Sequence, residues 1–481
     1  MNYRMIRNVI GRIMCVEAAF MVPALLISLY DKESGAVTGF LVTIALLLAA
    51  GLPMALIRTV RRGFYAREGF VIVGLAWLVV SLFGGLPFFI SGDIPNFVDC
   101  IFESVSGFTT TGSSILTDVE SLPRGLLYWR SFAHWLGGMG VLVFILALSP
   151  LTRGKGDEMH LLRAESPGVI KGKLVPHMHQ SAMLLYKIYI GLTVVQIIFL
   201  AFGRIPLFDA VTITFGTAGT GGFAIKNDSM MSYSPYIQVV TTVFMIIFAT
   251  NFNIFYFILI REFKKCLKNE ELRAYLAIIL VSIAAITINI SSRYASVGET
   301  IRHSAFQVAS IISTSGYAST DFDLWPEFSK GILVLLMFIG ASAGSTGGGI
   351  KVIRILVMFK AGKRAIYKAI HPRGVKLVHL DGEVMEEEIV SSVQSYMMIY
   401  FLIFFASLLL VTVDGFSFET NFTAVAACFN NVGPGLAGVG PTMNYSQFSM
   451  FSKIVLCLDM LFGRLELFPM LILFYPSTWK K

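Results

Sequence analysis

The sequence predicts an all-α integral membrane protein with ten transmembrane helices plus four re-entrant pore half-helices. They form four span–pore loop–span repeats in a pseudo-fourfold arrangement around one pore. Three observations carry that prediction. Of the 481 residues, 55% are apolar or aromatic, 43 more are glycine, and only 14% are charged. Ten stretches are each long and apolar enough to cross about 30 Å of hydrocarbon, which takes about 20 residues. A small-residue motif centred on glycine recurs four times at wide spacing.

Composition excludes much. Ordinary soluble domains carry about 25% charged residues, and a soluble chain of this length divides into several charged surfaces. The sparse charge here excludes a soluble enzyme, a disordered chain and a nucleic-acid binder; the surroundings are lipid. Five scattered cysteines (Cys15, Cys100, Cys266, Cys428, Cys457) show no metal-like spacing and read as small apolar packing residues.

The spans follow in order. The first, 9–30, comes after a basic start (Arg4, Arg7, Arg12), as a signal peptide would. Its apolar run is too long for a signal peptide and no A-x-A site follows, so it reads as an uncleaved anchor. With 37–59 it makes an N-terminal pair, residues 1–68. Spans 69–91 and 130–150 bracket pore repeat one (69–150), and a cytosolic connector follows at 151–179. Spans 180–203 and 236–260 bracket repeat two (180–261). Spans 274–296 and 330–359 bracket repeat three (262–360), whose second helix is broken, and a second cytosolic connector occupies 361–389. Spans 390–413 and 447–474 bracket repeat four (390–481).

Orientation follows from charge. With the N-terminus inside, 27 of the 38 Lys and Arg fall on inner segments, eight on outer ones, and Lys187, Lys453 and Arg464 within spans. This positive-inside bias alternates through all ten spans and puts both termini in the cytosol. The net charge of +8 is therefore mainly a topology signal. The outer segments carry fifteen acids against their eight bases, Glu103 and Arg130 among them, so the outer face attracts cations.

The outer connections after spans three, five, seven and nine share one plan: a semi-apolar stretch too short to cross, then a glycine cluster. Aligned, they read FESVSGFTTTGSS, VTITFGTAGTGGF, FQVASIISTSGYAS and VAACFNNVGPGLAG, with the shared position at Gly112, Gly221, Gly316 and Gly433. Irregular backbone at membrane depth survives only when buried in protein or lining a watery cavity. A half-helix entering from outside aims its negative C-terminal end at the membrane centre. Four such loops suit a ring of carbonyl oxygens that replaces the hydration shell of K⁺. The candidate ion-binding residues are Thr110, Thr111, Gly112, Thr220, Gly221, Thr314, Ser315, Gly316, Asn431, Val432 and Gly433, the Thr and Ser adding hydroxyl oxygens.

These loops, with WRSFAHWLGGMGVLV (129–143), GASAGSTGGGIKVIR (340–354) and FGRLELFP (462–469), resemble the Trk/Ktr/HKT superfamily of potassium transporters over residues 69–475. The two extra N-terminal spans resemble its Trk branch. The resemblance implies uptake of K⁺ as the transported ion, with no bound cofactor, at a bacterial inner membrane. It also implies a homodimer with one pore per subunit and a cytosolic nucleotide-binding regulatory subunit. Glycine at Gly112, where relatives that pass Na⁺ carry serine, implies K⁺ preference. A sodium-permeable or sodium/proton-coupled carrier of the same fold is the nearer alternative. A membrane enzyme acting on lipid precursors is the remoter one, opposed by the lack of a nucleophile–base constellation.

Span eight contains five glycines within 340–349, and each costs about 1 kcal/mol against Ala in a helix. Broken membrane helices mark ion paths, although small residues also serve close helix packing. GGGIK lacks the Gly-Lys-Ser/Thr of a phosphate loop. The resemblance makes Gly344, Ser345, Thr346, Gly347, Gly348 and Gly349 an intramembrane gate below the filter. Arg464, deep in the last span, either pairs with Asp459 or Glu466 or stands below the filter as a barrier to cations.

Overall fold

The computed structural model describes residues 1–57, 66–138, 140 and 178–480. Most of the basic inner connection after span two, the connector 151–177 and the inner half of span four lie outside the described residues.

Two long helices open the chain, α1 (Tyr3–Tyr30) and α2 (Ser34–Ala55), packed along each other and against α3 (Ala66–Ser91). Asn2 starts α1 by accepting a hydrogen bond from the Met5 N–H. Gly11 and Gly51 let α1 and α2 meet at backbone distance, since a Cβ on Gly11 would lie 2.7 Å from the Gly51 carbonyl oxygen.

Four units of one design follow. The first is α3, a half-helix α4 (Phe97–Phe108), an extended loop and α5 (Arg124–Gly138). The second is α6 (Met178–Phe202), half-helix α7 (Leu207–Ala218), a loop, then α8 (Pro235–Phe248) and α9 (Phe252–Leu259). After the short α10 (Phe263–Lys268) come α11 (Glu270–Ile290), half-helix α12 (Val297–Ile312), α13 (Glu327–Ile339) and α14 (Val352–Ile370). A two-residue hairpin, His379–Leu380 with Glu383–Val384, precedes α15 (Glu387–Val411). Half-helix α16 (Phe418–Phe429), α17 (Met450–Arg464) and α18 (Phe468–Phe474) complete the fourth unit.

A 12-residue half-helix rises about 18 Å, too little to span. Each of the four carries one acid in its first turn, Asp99, Asp209, Glu299 or Glu419, at the positive end of its dipole. Several outer acids thus have a structural task beyond solvation. Lys453 pairs with Asp99 at 2.6 Å, and Lys330 bridges Glu327 and Glu419. Burial and the neighbouring Asp209 carboxylate push the phenol of Tyr233 in the second outer loop up.

Two sequence expectations need correction. Glu103 and Arg130, assigned to the outer face, are buried, 1% and 3% exposed. The expected continuous helices at 236–260 and 447–474 are both broken: α8 and α9 meet at 91°, and α17 stops at Arg464 before Glu466 and Leu467, both at positive φ. Only the break in span eight was marked by glycines. At span six, Asn251 makes the break by capping α9 through the Asn253 N–H.

Candidate ion pathway

Each half-helix ends in the same backbone path. The next residue donates its N–H to the carbonyl four back, at Thr109, Gly219, Ser313 and Asn430. The one after turns left-handed: Thr110, Thr220, Thr314 and Asn431 have φ of 55°, 56°, 60° and 55°. The third, Thr111, Gly221, Ser315 or Val432, donates to the carbonyl five back. The fourth is a left-handed glycine, Gly112, Gly222, Gly316 or Gly433, with φ of 84°, 71°, 76° and 99°. Thr rarely adopts such backbone, at a cost of order 1–3 kcal/mol, while Asn tolerates it better, so the surrounding structure must hold the three threonines there.

This register corrects the sequence alignment in the second loop. Gly222, absent from the expected set, is the counterpart of Gly112. Gly221 stands with Thr111, and Thr220 with Thr110. The alignment centred GTGG on Gly221, the first of its two adjacent glycines, whereas matching Thr220 to Thr110 through the half-helix ends gives the Gly222 frame. The residue before the glycine therefore carries a hydroxyl in the first and third loops only.

The four loops close on one another. A Cβ built on Gly112 would lie 2.0 Å from the Gly221 carbonyl oxygen, and one on Gly222 1.7 Å from that of Ser315. One on Gly316 would lie 2.1 Å from the Val432 oxygen, and one on Gly433 2.7 Å from that of Thr111. Each glycine thus abuts the preceding-residue carbonyl of the next repeat, and the fourth returns to the first. Only glycine tolerates both the φ and the contact.

Buried side chains brace the loops from behind. Arg130 pairs with Glu103 at 2.6 Å, donates to the Ala224 carbonyl, and lies 3.8 Å over the Phe223 ring. Glu103 accepts from the Ser114 hydroxyl and the Ile115 N–H. His134 donates through Nδ1 to the Gly107 carbonyl and accepts the Phe223 N–H at Nε2. Tyr445 donates to the Gly433 carbonyl, and Tyr317 to that of Ile213. Two oxygens at the left-handed position, Thr110 Oγ1 and Asn431 Oδ1, are buried with no hydrogen-bond partner among the described residues. Thr111 Oγ1 is bonded to Thr109 and Asn431, and Ser315 to Ser313.

The glycine-rich break between α13 and α14 lies directly against the inner ends of the half-helices. Gly348 donates its N–H to Thr314 Oγ1 at 2.7 Å, and its Cβ position is 2.5 Å from the Asn430 carbonyl oxygen. That of Gly347 is 2.8 Å from the Ser313 oxygen. The loop's backbone is satisfied largely by the neighbouring break between α8 and α9. Ser342 donates to the Ala249 carbonyl, Thr346 to that of Phe248, and the Phe252 N–H donates to Gly344. Glu271 accepts the Ala343 N–H at 2.7 Å, and Ser345 donates to the Ser342 carbonyl. Gly340, Gly344 and Gly349 are left-handed.

Arg464 bridges three repeats. Its guanidinium donates to the Thr346 carbonyl at 2.7 Å and to the Gly137 carbonyl at 2.6 Å. Of the two carboxylates expected as partners, Glu466 is paired with Arg354 and Asp459 accepts from Ser407. Its hydrogen bonds to backbone at the glycine-rich loop were not legible in the sequence.

The family profile described as TrkH, cation transport protein, matches residues 37–481. The Trk system potassium uptake protein TrkH of Salmonella typhimurium is 35% identical over 490 residues, covering 100% of both chains. The Escherichia coli protein TrkG is 31% identical, covering 100% of this chain and 99% of its own. The crystal structure of the potassium transporter TrkH from Vibrio parahaemolyticus superposes with a TM-score of 0.88 at 32% identity and complete coverage of both chains. These are transport proteins, which sets the membrane-enzyme alternative aside. With the full-length match, the repeated half-helices and the closed ring of loops, this chain belongs to the TrkH family of cation transport proteins.

Proposed function

We propose that this protein takes up K⁺ across a bacterial inner membrane through the ring formed by its four loops. The observation that carries the reading is the ring itself, in which Gly112, Gly222, Gly316 and Gly433 each abut the carbonyl oxygen at Gly221, Ser315, Val432 and Thr111. A dehydrated cation exchanges water for these oxygens, aided by the four negative half-helix ends below them. Thr110 Oγ1 and Asn431 Oδ1 offer further unpartnered oxygens at the inner end. Thr111, Thr220, Thr314 and Ser315 serve chiefly to hold the loops.

Below the ring, 344–349 forms the gate and Arg464 its latch, adding a positive charge where a descending cation must pass. Lys351 and Arg354 stand at the cytosolic exit. A cytosolic nucleotide-binding subunit, docking on the inner connectors of a homodimer, moves the latch. Both termini lie in the cytosol, in keeping with the inward bias of Lys and Arg.

The test is complementation of a K⁺-uptake-deficient strain in low K⁺, with Na⁺ varied, beside flux from proteoliposomes. Growth restored by this chain and lost in Gly222→Val supports the filter. Growth that depends on Na⁺ instead of K⁺ favours the sodium carrier. At the ring, Gly112→Ser puts a side chain where 2.0 Å separates Cβ from a carbonyl oxygen, so the K⁺/Na⁺ flux ratio falls. An unchanged ratio would remove Gly112 from the filter.

A further inference from the structure

One buried acid has no place in the pathway described so far. Glu17, in the middle of α1, is 4% exposed, and neither carboxyl oxygen has a hydrogen-bond partner among the described residues. It lines a cavity of about 80 Å³ whose wall is otherwise apolar or aromatic, with Phe20, Trp77, Phe108, Leu136 and Gly137. The Trp77 indole N–H is also buried without a partner. A carboxylate left unpaired among such groups is far costlier than a neutral acid. The cavity has room for about two or three waters beside the carboxyl group.

The cavity adjoins the latch. Trp77 stands in its wall and its ring faces the Arg464 guanidinium at 6.0 Å. Gly137, in the same wall, gives its carbonyl to Arg464. Other charges on the elements packed around α1 are engaged elsewhere. α2 has no ionisable residue. On α3, Glu68 accepts the Asn2 N–H and Arg67 donates to the Lys480 carbonyl. On α5, Arg124 pairs with Asp31, Arg130 with Glu103, and His134 is bonded to Gly107 and Phe223. Among the described residues, Arg464 is the cation that faces this cavity, across Trp77.

We propose that Glu17 is an intramembrane proton-binding site that sets the Arg464 latch, an inference that rests on the reading of 344–349 and Arg464 as the gate. With its proton, Glu17 is neutral and Arg464 stays on the Thr346 carbonyl. When the proton leaves, the carboxylate draws the guanidinium toward Trp77 and away from Thr346, and the loop is released. Flux therefore rises with pH.

The test has a spectroscopic and a transport arm, both on the full chain in lipid. Infrared spectra of wild type should contain a protonated-carboxyl C=O band that Glu17→Gln lacks and that fades at alkaline pH. K⁺ flux of wild type should rise about five- to tenfold across the same pH change, the lower range for coupled sites. Flux of Glu17→Gln should stay low and flat. Glu17→Leu, which fills the space without a proton, should match it and guards against a folding defect in the first variant. No band difference at any pH overturns the proton site, whatever the pore does. A band difference with superimposable flux profiles overturns its link to the latch. Failure of the gate reading shows separately, as Arg464→Ala flux no higher than wild type.

Discussion

At the scale of single residues, the ring of loops is braced by a buried ion pair, Glu103 with Arg130. All eleven expected filter residues, with Gly222 added, make up three consecutive positions of a fourfold register. Glu103 and Arg130 were legible only as loop charges, because nothing in a separation of 27 residues reveals a buried pair. Their side chains are 0% and 2% exposed, so removing one charge strands the other at a cost of about 3–5 kcal/mol. Glu103→Gln should lower the thermal unfolding midpoint in detergent, and the K⁺/Na⁺ flux ratio with it, since Glu103 holds the first loop and Arg130 the second. A variant with an unchanged midpoint would mean that the pair is not the brace. Arg464→Ala should raise K⁺ flux severalfold in proteoliposomes, by removing both a cation barrier and the bond to Thr346. Equal flux from a folded variant would count against the latch.

At the scale of elements, length and periodicity revealed the long helices, because a span is a local property of about 20 apolar residues. The half-helices were legible for the same reason, being too short to cross. Breaks in the second helix of a repeat were another matter. A run of glycines announced the one after α13, but those at Asn251 and at Glu466–Leu467 carry no such run and are stabilised from outside. The freed carbonyls of Phe248 and Ala249 receive Thr346 and Ser342, contacts made only when two repeats meet. The loop is fitted closely enough to be wedged. Gly348→Ala would place a methyl 2.5 Å from the Asn430 carbonyl oxygen and 3.0 Å from Asn431 Cβ, pushing the loop off the filter. Flux should increase, and deletion of 344–349 should increase it further. Gly348→Ala with wild-type flux and a wild-type unfolding midpoint would show that the loop is not the barrier.

At the scale of the whole molecule, four units arranged in sequence order close a ring at the centre of the protein. Taken together, the connections that carry the half-helices hold more acids than bases, and the alternate connections between units are basic. Cysteines introduced at Ser446, in the last outer loop, and at Ser477, near the C-terminus, should report this topology on a background without the five native cysteines. A membrane-impermeant maleimide added to intact spheroplasts should label the first and spare the second; the reverse pattern would invert the orientation. The sequence by itself determined the medium, the long apolar helices, the charge asymmetry and the existence of four related loops. All of these follow from side-chain transfer energies and spacing along one chain. Tertiary structure alone decided that Gly222 is the second ring glycine, that spans six and ten are broken, and that Arg464 reaches Thr346. Each of these depends on groups from different repeats meeting at the ring, and contacts between segments so distant in sequence leave no trace in residue type.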